Sequence, residues 1–141
     1  MQPSSTRSRL IASLFAILPL VASAQQDNHG SEQASHGLGQ SLPGTKNESL
    51  HSAWRIYTFT RDGIAYYQVN DNADRVHFIL AKAEDMFWRL PAGSASASIL
   101  LPCMPRDLPP AAPLYIYRDA EFALVLYDDA ANQVWAVEPS R

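Results

Sequence analysis

The chain has 141 residues, enough for one domain of ordinary size, and sets 11 basic against 14 acidic side chains for a formal net charge of −3. The basic residues are scattered singly among more numerous carboxylates, which argues against nucleic-acid binding, since that rests on Lys and Arg neutralising phosphates. No basic amphipathic stretch suited to a membrane surface appears either.

Residues 1–24 read as a secretory signal: Arg7 and Arg9 supply a positive start, Leu10 to Leu20 a short apolar run, and Ala22-Ser23-Ala24 a small-residue cleavage site. Ser13 and Pro19 interrupt the run, which falls short of the ~18 residues a membrane span needs. Cleavage after Ala24 would leave a chain starting at Gln25 with nine basic and fourteen acidic side chains, a balance of −5. The expected location is the periplasm or the exterior, with no membrane span after cleavage. Arg7-Ser8-Arg9 is not a twin-arginine pair, and no cysteine at the cleavage site could take a lipid. Cys103 is the single cysteine, so no internal disulfide staples the fold, and it reads as a small buried apolar residue.

Gln25 to Ala53 is rich in Gln, Ser, Gly and His and has no aromatic residue. Such text buries too little apolar surface to offset its ordering entropy, so 25–53 is expected to be a disordered tail or linker. From Trp54 onward lie thirteen of the fourteen aromatics, and 54–141 is expected to be a single β domain.

Runs of β-branched and aromatic residues cut by turn-forming dipeptides place strands at Trp54–Thr60, Ile64–Val69, Val76–Ala81 and Met86–Leu90. Gly63 supplies the positive φ of a tight first hairpin. The stretch 82–90 also suits a short helix, because Ala, Lys, Glu, Met and Leu favour one; the strand reading is preferred. A short strand at Ser98–Leu101 precedes five prolines between Pro102 and Pro113, which lack the N–H of a sheet ladder and mark a connection outside the sheets. Leu114–Tyr117, Phe122–Leu126 and Val134–Val137 complete the set.

The two ends of this domain echo each other. Ala65, Tyr67, Asp71, Ala73 and Val76 align without gaps on Ala123, Val125, Asp129, Ala131 and Val134. Duplication explains this, and so does the resemblance of any two meanders whose second turn is rich in Asn and Asp. The expected fold is therefore all-β: a small antiparallel sandwich or partly closed barrel built from two three-stranded meanders joined by the Pro-rich connection.

No cofactor fingerprint is present, and no cofactor is expected. His29, His36 and His51 fall in the tail and could hold a transition metal only loosely, because their separations of 7 and 15 residues match no compact motif. Cys103-Met104 with His77 gives only part of a blue-copper set, so no metal site is assigned. Asn70 to Asp74 resembles a calcium loop but has Arg75 where glycine belongs and Ala81 where the bidentate glutamate belongs. Glu84-Asp85 and Asp128-Asp129 read as solvated turn acids rather than glycosidase carboxylates. Ser94, Ser96 and Ser98 lack a nucleophile elbow, and a lone strand histidine reads as a surface residue rather than a catalyst.

What remains is aromatic surface. A small core cannot hide Tyr57, Tyr66, Trp88, Tyr115, Tyr117 and Trp135 together, and Tyr and Trp are favoured at interface anchors. The candidate interaction surface is Tyr57, His77, Trp88, Tyr115, Tyr117 and Trp135. His77 and Trp135 are echo equivalents, and alternation points both away from Val76, Phe78, Val134 and Ala136. The expected function is that of a small exported domain that binds a protein partner, as an envelope-complex accessory or a hydrolase inhibitor, and not an enzyme. A metal-handling protein using the tail histidines is the alternative, and a small hydrolase the third reading.

Overall fold

The computed structural model describes residues 37–141, so the expected signal and the first part of the expected tail lie outside the described residues. Eight strands follow in order: β1 (Trp54–Arg61), β2 (Ile64–Asp71), β3 (Val76–Ala83), β4 (Met86–Gly93), β5 (Ser98–Leu100), β6 (Pro113–Arg118), β7 (Phe122–Asp128) and β8 (Gln133–Pro139). They form two four-stranded sheets ordered β1-β2-β3-β4 and β5-β8-β7-β6, with no closed barrel, an arrangement consistent with a β-sandwich. No described helix is long and apolar enough to cross a membrane.

The first sheet is an antiparallel meander of four strands rather than three. Asp62 (φ 52) and Gly63 (φ 78) both take positive φ, as a two-residue primed turn requires, and this turn sets Arg61 opposite Ile64 and Phe59 opposite Tyr66. The 82–90 ambiguity resolves as strand, turning at Glu84 (φ 51). Pro91 sits in β4, an edge strand, where a missing N–H breaks no ladder. The second sheet is mixed, not purely antiparallel: β5 runs parallel to β8, while β6, β7 and β8 form the expected meander. β5 is joined to β6, at the opposite edge, by the Pro-rich segment, which must cross the sheet.

One core unites both layers. Ile56, Val69, Phe78 and Leu80 from the first sheet meet Ile116, Leu124, Leu126, Trp135 and Val137 from the second. The outward rows are buried as well: Tyr57, Gln68, Asn70 and Ile79 on one sheet, Ala123, Val125, Val134 and Ala136 on the other. Irregular chain therefore covers both outer faces. Over the second sheet this is the Pro-rich crossing, where Leu108, Pro109 and Ala111 are half-buried and Arg106 donates to the Val137 carbonyl at 3.1 Å.

Over the first sheet it is part of the expected tail. Gly39 N–H donates to Gln68 Oε1 at 2.6 Å, Gln68 Nε2 to the Gln40 carbonyl at 2.6 Å, and Asn70 Nδ2 to the Ser41 carbonyl at 2.9 Å. Glu48 N–H then donates to the Ile56 carbonyl and Leu50 N–H to the Ile116 carbonyl, each at 2.8 Å, which stitches the β1 edge to the β6 edge. The boundary expected at Trp54 is thus corrected: residues 37–53 belong to the domain. Its polar text misled because the buried partners, Gln68 and Asn70, lie 28 or 29 residues away in β2.

Candidate functional site

The six candidate residues do not form one surface. Trp135 is fully buried between the sheets, edge-on to Trp54 at 4.7 Å and 87° and to Phe78 at 5.0 Å and 75°. The outward placement is corrected: with both faces of β8 covered, alternation of apolar residues carries no direction, and the largest ring takes the wider space between sheets. Its indole N–H meets no oxygen or nitrogen acceptor among the described residues.

His77 is corrected by a β-bulge. Val69 pairs with Phe78 but Asn70 with Val76, so His77 is the extra residue on β3 and turns to the side of Phe78. Its ring lies 5.0 Å from Trp54 and 5.8 Å from Trp135. The sequence echo thus brought two equivalent positions into contact across the core. Burial pushes the His77 pKa below 6.5, the nearby Asp71 carboxylate opposes that shift, and Arg89 adds to it. On the other side of the bulge, the His77 carbonyl accepts the Ser94 N–H at 2.7 Å, and a Cβ on Gly93 (φ 83) would lie 2.4 Å from that oxygen, so only glycine fits there.

Tyr117 is likewise buried by a bulge. Tyr115 pairs with Val125 and Tyr117 with Leu124, so Ile116 is supernumerary and both Ile116 and Tyr117 enter the core. The Tyr117 hydroxyl donates to Asp119 Oδ2 at 3.1 Å, and burial raises its pKa, as it raises that of Tyr67 to about 12. Tyr57 is buried on the outer face of the first sheet, and Trp88 is half-buried on β4. Tyr115 alone of the six stays exposed, at 39%, with the Arg118 guanidinium 4.3 Å over its ring. Cys103, expected to be buried, is exposed on the Pro-rich crossing. His51 accepts the Ala53 N–H on Nδ1 at 3.2 Å, while His29 and His36 lie outside the described residues. Among the described residues no group of three His, Cys, Asp or Glu converges on a common point.

Two recesses that sequence reading did not assemble are the candidate sites. The first is a groove of about 370 Å³ on the outer face of the first sheet, lined by Leu38, Phe59, Thr60, Arg61, Tyr66 and Leu90 and by Gly37. Its signal was legible: a two-residue turn at Asp62-Gly63 necessarily sets Phe59 beside Tyr66 on one face. Leu38, from the expected tail, was not.

The second recess is a cleft at one end of the layered sheets. It has two lobes of about 560 and 390 Å³, and Trp54, Asp71 and Arg75 line both. Asp71 Oδ2 takes Arg75 Nε and Nη2, each at 2.8 Å, and Asp71 Oδ1 accepts the backbone N–H of Ala73 and Arg75. Burial alone would raise the Asp71 pKa, but these hydrogen bonds and the guanidinium charge outweigh it and hold the carboxyl below its ordinary value. His77 and Ser94 border the larger lobe; His51, Asp128 and Gln133 border the smaller. Comparison with known proteins gives no match: no family model, no curated protein and no solved structure is significantly similar to this chain.

Proposed function

We propose that the protein is a small exported binding module that holds a protein partner in the groove between Leu38, Phe59, Tyr66 and Leu90. In this reading the two sheets are the layers of a β-sandwich whose remaining faces the chain covers for itself. The observation that carries the reading is that groove: apolar side chains from a cross-strand aromatic pair, the β4 edge strand beyond β3 and the covering segment frame an open space of about 370 Å³. On the other outer face the row of Ala123, Val125, Val134 and Ala136 is buried, whereas here a large apolar side chain of a partner finds a partly built pocket. An accessory of an envelope complex or an inhibitor seated on a hydrolase would each use such an anchor.

The test is capture from the envelope fraction of the native source, followed by affinity measurement with the protein captured. Leu90→Glu, which places a carboxylate in the groove, should weaken that affinity about 30-fold, the equivalent of about 2 kcal/mol and typical of an interface anchor, with the thermal melt unchanged. Undiminished affinity in Leu90→Glu, or a loss produced instead by Tyr115→Ala on the far sheet, overturns the groove assignment.

A further inference from the structure

The cleft at the end of the sheets is separate from the groove and has a different chemistry. Trp54 lines both lobes and is held by its edge-to-face contact with Trp135 and its tilted contact with His77. A rigid indole between two depressions offers an apolar plate that need not be ordered on binding. The carboxylates around it already accept hydrogen bonds. Asp71 is paired with Arg75; Asp128 accepts the Ala130 N–H on Oδ1 at 2.9 Å and Gln133 Nε2 on Oδ2 at 2.8 Å. His77, half-buried against two indoles, is held neutral near pH 7.

These pairings select among ligands. An anion would face Asp71 and Asp128, and Arg75, the guanidinium that lines both lobes, is already engaged by Asp71. A cation would find carboxylate oxygens that already accept hydrogen bonds. An extended peptide is recognised through a row of unpaired backbone groups at a strand edge, whereas this cleft presents side chains at strand ends. What fits is a neutral ligand with an apolar C–H face to lie on an indole and hydroxyls along its edge to join the Arg75, Asp71, Gln133 and Ser94 hydrogen bonds. Each lobe is within the ~300–1,000 Å³ typical of ligand pockets, and the shared wall implies two linked units.

We propose that the cleft is a saccharide-binding site for neutral oligosaccharides, with one sugar unit in each lobe and Trp54 as the stacking plate between them. Intrinsic tryptophan fluorescence of the full chain tests this by titration with maltotetraose, cellotetraose and the tetramer of N-acetylglucosamine, with tetragalacturonate as the anionic counterpart. At least one neutral tetrasaccharide should shift the emission and saturate below about 10 mM. Arg75→Ala should weaken that binding at least about tenfold with only a small fall in the melt, because its side chain is 79% exposed and its ion pair with Asp71 is largely screened. Trp54→Phe, which keeps a ring against Trp135 but shrinks the plate, should weaken it as well. The proposal is overturned if no neutral tetrasaccharide saturates below that limit, if tetragalacturonate binds more tightly than any neutral sugar, or if binding survives both substitutions. None of these outcomes bears on the groove, whose partner is tested by Leu90→Glu.

Discussion

The two sheets bury their outer faces by opposite means. The mixed sheet presents small apolar residues outward, Ala123, Val125, Val134 and Ala136, and a Pro-rich crossing lies over them. Proline suits that task because it orders a chain with no ladder partner at low entropic cost. The antiparallel sheet presents Gln68 and Asn70 outward, both fully buried, and a polar segment lies over them by hydrogen bonding its backbone to their amides. A buried amide left unpaired costs about 1–3 kcal/mol, so this cover is specified by satisfaction of polar groups rather than by apolar area. An apolar face tolerates many covers of about the right shape; a buried pair of amides accepts few. The second device also leaves part of its face open, and that opening is the groove.

The strongest way to break this comparison is to remove the polar cover. A chain beginning at His51 loses the three amide contacts of Gln68 and Asn70 and both edge stitches, at Ile56 and Ile116. At about 1 kcal/mol for each lost hydrogen bond, stability should fall by roughly 5 kcal/mol, comparable with the whole stability of a small domain. A chain beginning at Gly37 should melt like the longer one. Equal melts for the chains beginning at Gly37 and His51 would show that the cover is ornamental and restore the domain boundary to Trp54.

A second substitution asks whether the sheets share one core beneath their different covers. Trp135→Ala removes the largest fully buried side chain, which touches Trp54, His77 and Phe78 of the opposite sheet. A loss of about 3–5 kcal/mol is expected in urea unfolding, as for other buried aromatic truncations. A loss below about 1 kcal/mol would place the ring at a surface, where alternation in the sequence had put it.

All eight strands were legible in the sequence, because β-branched and aromatic runs between turn dipeptides report local preference directly. The meander orders of β1 to β3 and of β6 to β8 were legible too, but not that β4 extends the first. What was not legible depended on contacts distant in sequence. Nothing local distinguishes the parallel pairing of β5 with β8 from an antiparallel one. The bulges at His77 and Ile116 reverse the facing that strict alternation gives, and each cost a site residue its assigned surface. The candidate recesses failed for the same reason: Leu38 joins Phe59 only once the covering segment is docked, and Trp54 meets Arg75 and Gln133 only where two sheets end together.

The smallest expected effect separates the inner from the outer polar groups of the first sheet. Gln68 and Asn70 do not titrate, but His77 does, and it faces Trp54, Phe78 and Trp135 with Asp71 and Arg89 as the charged groups acting on it. Its folded pKa lies below the 6.5 of the exposed side chain, chiefly through burial, so the unfolded chain binds the proton more readily. Stability from this group is therefore complete above about pH 6.5 and drains away as pH falls below it toward the folded pKa, before most carboxylates titrate. Tyr67 runs the other way: its pKa is pushed from 10.0 up to about 12, so its contribution is full below pH 10 and lost above it. Urea midpoints measured between about pH 7.5 and 5.5 should decline in the parent chain and stay nearly level in His77→Gln, which keeps a polar side chain but cannot gain a proton in that window. Parallel decline in both chains would assign the acid sensitivity to carboxylates elsewhere and remove His77 from the account.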